Sequence, residues 1–317
     1  MSNFKLAVLI PYYKKDFFDD TLKSLANQTD KRFNVYITDD CSPSSPDDVI
    51  DKYKEKINIV YKRYTNNLGR IDLVGHWNRS LELIQDEDWI LVLPDDDIVS
   101  ENVVEEFYKN LNNVDKYNIK VFRFPVVKLD KNGNIINRDL NKQPKIETNI
   151  DFYERVVRGK AGASLGDNIF HKRSLLKYGG FVNFPKGWGS DHATILKVSQ
   201  EGSIYFLYKA KLYFRMSGMN ISSNNKDSVI KLGARILFVK WLKENEDIFP
   251  SKFSEDFYKF FYWKAEYYIL NEWSFNFRQF IELYKLREIC FNSKNIIPII
   301  KIFLKKIVKD RGKFFKS

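Results

Sequence analysis

ILVLPDDDIVS, residues 90–100, runs four apolar side chains and a proline straight into Asp95, Asp96 and Asp97. The apolar run reads as a buried strand, so three adjacent carboxylates at its end pose an electrostatic problem. Like charges repel, and burying them unpaired is costly or raises their pKa values until they neutralise. A cation is the expected answer. The bland reading is a helix entrance: residues 99–111 carry an amphipathic pattern with Ser100 at the N-cap position, and acidic residues favour a first turn. The tripeptide alone leaves a ligand site and a solvated turn both open.

At 317 residues the chain suits one large α/β domain with an appendage. With 44% hydrophobic and 16% aromatic residues, it has ample material for a core. Cys41 and Cys290 form neither a disulfide framework nor a zinc pattern, which fits a reducing, cytosolic compartment. The apolar run at residues 6–10 has Lys5 before it and Pro11 after it, too short for a secretory signal, and no stretch approaches the ~18 apolar residues of a membrane span. The net charge is +11, yet residues 294–317 hold eight Lys/Arg against Asp310 alone. The charge therefore lies in a basic tail with its own partner, and nucleic acid is not expected as one.

Outward from residues 90–100, short apolar runs alternate with helical patterns. Strands are predicted at 5–11, 33–40, 57–64, 88–97 and 119–127, and helices at 16–28, 46–56, 71–85 and 101–111. This alternation implies βαβ units and a mostly parallel sheet buried on both faces. Ligands bind beyond the carboxyl ends of such strands. Three of those ends carry polar clusters: Pro11, Tyr12 and Tyr13; Asp39 and Asp40; Asp95 to Asp97. Further on, residues 129–138 read as a hairpin around Lys-Asn-Gly-Asn, and residues 184–202 as a Gly-rich loop feeding a helix. From about residue 227 the pattern is helical and aromatic.

Absences prune the functions. There is no GxGxxG after the first strand, no phosphate loop and no GxSxG elbow, and His76, His171 and His192 lack metal-ligand spacing. Carboxylate oxygens favour Mg²⁺ or Mn²⁺, held by one or two carboxylates and completed by substrate phosphates. A diphosphate ligand follows. For a nucleoside diphosphate, Asp40 supplies a second carboxylate for base or ribose, and Arg70 is a candidate cation near the phosphates.

VLIPYY, ITDDCSPS, NNLGR, LVLPDDDIV, GWGSDHA and LYFRMSGMNISS, in that order, resemble the motifs of family 2 glycosyltransferases of the GT-A fold, over roughly residues 4–225. The resemblance implies an α/β GT-A domain over residues 1–225, followed by a helical extension over 226–317. It implies an inverting transferase using a nucleotide-diphosphate sugar, most often a UDP-sugar. Pro11, Tyr12 and Tyr13 would line the base pocket, Asp40 would hold the base, and Arg70 would lie near the nucleotide. Asp95 and Asp96 would contact the nucleotide, Asp96 at the ribose, with Asp97 and Asp95 as metal ligands for Mn²⁺ or Mg²⁺. Asp191 would be the catalytic base, with Trp188 and His192 on the acceptor side. An N-cap role for Asp191 and simple packing of Trp188 are the competing readings. Three departures touch the metal and the base: Pro94 replaces the first Asp of the common Asp-x-Asp-Asp form, Ser190 replaces a Glu, and Ser217 replaces a frequent His.

In the tail, Ile300, Phe303, Leu304, Ile307 and Val308 share one helical arc and Lys301, Lys305, Lys306 and Lys309 the opposite one. A basic amphipathic helix suggests peripheral contact with anionic lipid, the competing reading being a docked terminal helix with a solvated lysine face. The expectation is a cytoplasmic enzyme at the inner face of a bacterial membrane, adding single sugars to a glycan or lipid-linked acceptor in surface polysaccharide or glycolipid synthesis. A sugar-phosphate nucleotidyltransferase and a non-catalytic sugar-binding or membrane scaffold are the alternatives.

Overall fold

A computed structural model describes residues 5–138, 143–157, 160–218, 220 and 228–245, and positions 297, 300, 301, 304, 305 and 308. The helical patterns at residues 255–291, Cys290 and the tail positions Phe303, Lys306, Ile307 and Lys309 lie outside the described residues.

The chain opens with β1 (Leu6–Tyr12), α1 (Phe18–Ala26), β2 (Phe33–Asp39), α2 (Asp47–Tyr53), β3 (Asn58–Arg63), α3 (Leu73–Ser80) and β4 (Trp89–Val92). It continues through β5 (Ile98–Val99), α4 (Val103–Asn110), α5 (Asn113–Tyr117), β6 (Ile119–Arg123), β7 (Val126–Asp130), β8 (Ile135–Arg138) and β9 (Ile146–Glu147). Then follow α6 (Asn149–Val157), β10 (Asn168–His171), α7 (Lys172–Lys177), α8 (Ser190–Val198), β11 (Ser203–Phe206), β12 (Leu212–Met216) and α9 (Ser228–Glu244). Eight strands form one sheet in the order β3-β2-β1-β4-β10-β6-β11-β9, and four form a second in the order β5-β12-β7-β8.

Strands β3, β2, β1 and β4 are mutually parallel, as the alternation requires. Strand β10 then enters antiparallel between β4 and β6, so β4 and β6 point the same way and their carboxyl ends share an edge with β1 and β2. The apolar runs are continuous because both faces are covered. Leu6, Val8, Ile10 and Tyr12 of β1 enter one core cluster while Ala7 and Leu9 enter the other, the period-2 alternation of a strand between two helical layers.

Two boundaries differ from the sequence reading. Residues 119–127 are two strands, because Pro125 has no N–H for the ladder and the chain leaves the large sheet there for the small one. Residues 88–97 stop pairing early: Leu93 N–H still reaches Leu9 O at 2.9 Å, but from Pro94 the chain turns, with Asp97 N–H donating to Pro94 O at 3.3 Å. It then enters β5, which pairs with β12. The three carboxylates thus occupy the turn between the two sheets. Ser100 is no N-cap: α4 starts three residues later, and the Ser100 hydroxyl accepts the N–H of Lys211 at 2.9 Å, tethering β12. The hairpin expected at 129–138 is present as β7 and β8. No described helix is long and apolar enough to cross a membrane.

Candidate active site

Asp95, Asp96 and Asp97 are 9%, 8% and 0% exposed. Each is held by a different element. Asp95 Oδ2 accepts the N–H groups of Tyr13 and Lys14, both at 2.7 Å, fixing the loop after β1. Asp96 Oδ2 accepts from Asn220 Nδ2 at 3.2 Å, and Asp97 Oδ1 accepts Arg215 N–H of β12 at 2.9 Å. The Thr21 hydroxyl of α1 reaches the carbonyls of Asp95 and Asp97 from beneath.

The cation expected beside this turn is Arg215, 2% exposed, yet its guanidinium does not pair with the three carboxylates. Nε donates to the Asp96 carbonyl at 3.1 Å, Nη2 pairs with Asp20 at 2.8 Å, and the group lies over the Phe17 ring. Among the described residues no ion pair is made by any of the three carboxyl groups. Burial, then the charge of Asp96, pushes the Asp95 carboxyl up to about 7 and holds that of Asp97 well above the ordinary carboxylate range. Burial raises Asp96 as well, opposed by the nearby Lys14 ammonium.

Asp97 Oδ2 is buried and has no hydrogen-bond partner among the described residues. Such an atom is the place for a hard cation. The donor set fits Mg²⁺ or Mn²⁺, with Asp97 as first choice, because Asp95 Oδ2 is already occupied by two backbone N–H groups. Among the described residues, no three His, Cys, Asp or Glu side chains converge into a cation cage. An ion here would rely on one or two carboxylates and on substrate phosphates.

The second carboxylate pair, at the end of β2, is more fully engaged. Asp39 pairs with Arg63 at 2.6 Å and accepts from Tyr61 Oη at 2.8 Å and Ser42 N–H at 2.7 Å. Asp40 accepts the N–H groups of Leu68 and Gly69 at 3.0 and 2.7 Å and is ion-paired to Arg79. A Cβ on Gly69 would stand 2.6 Å from Asp40 Oδ2, so the loop closes over the carboxylate only with glycine there. His76 lies behind, its Nδ1 3.3 Å from Asp40, and burial pushes its pKa down to about 4 despite that neighbour. The cation at Asp40 is thus Arg79. Arg70, named from the sequence, is exposed, and its side chain makes no hydrogen bond or ion pair among the described residues.

The turn after β1 joins the two clusters. Asp40 N–H donates to Tyr12 O at 3.1 Å, while the next two N–H groups go to Asp95. Tyr12 itself is no pocket wall, since its ring is wholly buried against Phe18 and its hydroxyl donates to Ser44 O. Tyr13, the first residue past β1, is 40% exposed, beside the partly exposed Pro11.

At the loop before α8, Gly189 takes φ 92° and Ser190 Oγ accepts Phe184 N–H at 3.2 Å. Asp191 is the second residue of α8, whose N-cap is Gly189, and its side chain satisfies a first-turn N–H, that of His192. Its Oδ1 lies 2.9 Å from His192 Nδ1. Trp188 packs with Phe184, Phe238 and Trp241, and Lys231 and Arg235 of α9 lie over its ring at 4.5 and 5.8 Å. Trp188 is thus half-buried, with two cationic side chains over its ring. Burial raises the carboxyl of Asp167 against the opposing Arg123 guanidinium, and the charge of Asp191 adds to the rise, which puts Asp191 near Asp167. Gly166 in turn leaves room for Pro94, whose Cδ would lie 3.2 Å from a Cβ there.

The sequence reading missed Arg79, Asn220, Asp167 and the place of Lys14. Their partners lie 39, 124, 44 and 81 positions away, so no local pattern announces them.

The sequence profile of glycosyl transferase family 2 matches residues 7–170, more than half of the chain. No curated protein matches it. Among solved structures, residues 1–349 of S. aureus TarS in complex with UDP-GlcNAc align with a TM-score of 0.58 at 16% identity, covering 96% of this chain and 89% of that one. The corresponding complex with UDP gives 0.55 at 17% identity, with the same coverage. A longer TarS structure gives 0.55 at 17%, covering 96% of this chain and 54% of that one. At such identity the likeness bears on the fold alone, and the fold agrees.

Proposed function

The chain belongs to glycosyl transferase family 2, and from that premise we propose that this glycosyltransferase moves a single sugar from a UDP-sugar to a hydroxyl of a glycan or lipid-linked acceptor, with inversion. The observation that carries the reading is the buried turn of Asp95 to Asp97, three carboxyl groups without an ion pair among the described residues and with an unpartnered oxygen on Asp97. TarS complexes with UDP-GlcNAc and UDP support a uridine nucleotide as the donor's carrier.

In this reading Tyr13 and Pro11 face the base, and Asp40 shapes the loop that closes the base pocket. Asp96 takes the ribose. Asp97 holds Mn²⁺ or Mg²⁺, which when bound supplies positive charge for the departing diphosphate. Asp191 takes the proton of the acceptor hydroxyl as that oxygen bonds to the anomeric carbon, and the bond to the diphosphate breaks on the opposite side. One displacement inverts the centre and needs no covalent sugar intermediate.

The tail supports a peripheral membrane role at the cytoplasmic face. Its described positions Ile297, Ile300, Leu304 and Val308 are helical and exposed, and Lys301 and Lys305 are exposed with them. Apolar side chains at that spacing on a strongly basic segment suit anionic lipid. We assign residues 1–225 to the catalytic domain and 226–317 to the extension, with α9 covering the acceptor-side loop, and bacterial surface polysaccharide or glycolipid synthesis as the setting.

The test is Asp191→Asn. Loss of UDP release from UDP-GlcNAc by about 10²-fold or more, with UDP binding unchanged, supports the base. Wild-type turnover in that variant rejects it, and a wild-type protein that binds UDP but never turns over favours the scaffold reading.

A further inference from the structure

Asp191 Oδ1 accepts the backbone N–H of His192 at 2.8 Å and lies 2.9 Å from His192 Nδ1. An ionised carboxylate only accepts hydrogen bonds, so Nδ1 carries the proton and, in the neutral ring, Nε2 does not. The ring is fixed from its other side. It stacks on Phe152 at 6.4 Å between centroids and 20° between planes, and the buried Phe152 lies under the Arg123 guanidinium at 4.5 Å. Arg123 is locked to Asp167 at 2.7 Å and to Asn168 at 3.0 Å. Helix α6 thus backs the imidazole through Phe152, and β6 and the start of β10 hold Arg123 behind that ring. Asp191 Oδ2 receives no hydrogen bond from a described residue, and the side chain is 20% exposed.

We propose that His192 is the positioning residue of the base. This rests on the reading of Asp191 as that base. Two N–H groups of His192 hold one carboxylate oxygen, which leaves the other turned outward to the acceptor. In transfer, the hydroxyl proton passes to Oδ2 as the acceptor oxygen bonds to the anomeric carbon. The bond from that carbon to the diphosphate breaks, and its electron pair leaves with the diphosphate. A carboxylate free to rotate would spend most of its time misaligned, so the effect belongs to kcat and not to donor binding.

His192→Phe keeps a ring against Phe152 and removes the donor, while His192→Asn puts an amide N–H close to where Nδ1 stood. With UDP release from UDP-GlcNAc as readout, His192→Phe is expected to lose about 10- to 100-fold in kcat at unchanged KM for the donor, and His192→Asn to recover most of that loss. Wild-type turnover by His192→Phe, or no recovery in His192→Asn, overturns the proposal. Asp191→Asn distinguishes the two levels: if it turns over normally the base reading itself fails, whereas an inactive Asp191→Asn beside a normal His192→Phe removes only the role of His192. A second arm needs no substrate. The chain has three histidines, so a long-range proton–nitrogen spectrum of the labelled protein identifies His192 by its loss in His192→Phe. The Nδ1–H tautomer is expected in the wild type, shifting toward Nε2–H in Asp191→Asn. An Nε2–H imidazole in the wild type overturns the proposal whatever the kinetics.

Discussion

At the turn of Asp95 to Asp97, burial and mutual repulsion both favour the protonated carboxyl in the folded protein. Asp95 titrates near 7 when folded, against 3.8 ordinarily. Its native form therefore binds more protons than the unfolded chain between those values, and the stability this contributes is complete below about pH 4 and lost as pH rises through about 7. Thermal unfolding of metal-free protein is expected to show a lower Tm at pH 8 than at pH 5.5, and Mn²⁺ to raise Tm more at pH 8, where the carboxylates are ionised. Equal Mn²⁺ shifts at the two pH values would contradict this. Gly69→Ala probes the other cluster: the added Cβ, 2.6 Å from Asp40 Oδ2, must displace the loop. UDP affinity measured by calorimetry is expected to fall about tenfold or more, for a loss of about 1.4 kcal/mol. Residue identity was legible where chemistry is local, as with three carboxylates in a row. It was not legible where the end of a strand decides: Tyr12 and Tyr13 are adjacent and alike, but Tyr12 closes β1 inside the core and Tyr13 opens the exposed loop.

Among elements, the first four strands and their helices were readable because each carries its own period and the parallel order follows from the alternation. The place of strand β10 was not, since a four-residue strand carries no sign of its antiparallel insertion between β4 and β6. The small sheet was hidden beyond its β7–β8 hairpin, for β12 joins that hairpin and β5 by non-local pairing. That sheet brings Arg215 and Asn220 to the carboxylate turn. Helix α9 was foreseen as a helix but not as the cover of the loop before α8, where Phe238 packs on Phe184, Trp241 and Tyr153. Phe238→Ala is expected to destabilise the fold by about 3 kcal/mol in urea unfolding. UDP binding, at the other end of the site, should be spared. A change below about 0.5 kcal/mol, the scale of an ordinary surface substitution, would mean that α9 does not bear on the core.

For the molecule as a whole, the charge is lopsided: a +11 chain holds eight of its cationic side chains, against one Asp, in residues 294–317. Removal of residues 297–317 is expected to abolish co-flotation with vesicles containing phosphatidylglycerol while leaving UDP affinity unchanged. Flotation that persists would place the lipid contact elsewhere. The central claim is nevertheless at the sheet edge, where an under-compensated carboxylate turn is proposed to hold a cation and, through it, a diphosphate. Calorimetric titration with UDP, in Mn²⁺, in Mg²⁺ and in chelator, tests it most directly on wild-type protein and Asp97→Ala. The account predicts metal-dependent UDP binding that Asp97→Ala loses. UDP binding of equal strength in chelator, or undiminished in Asp97→Ala, would contradict it and leave the three aspartates as a buried turn with no ligand to hold.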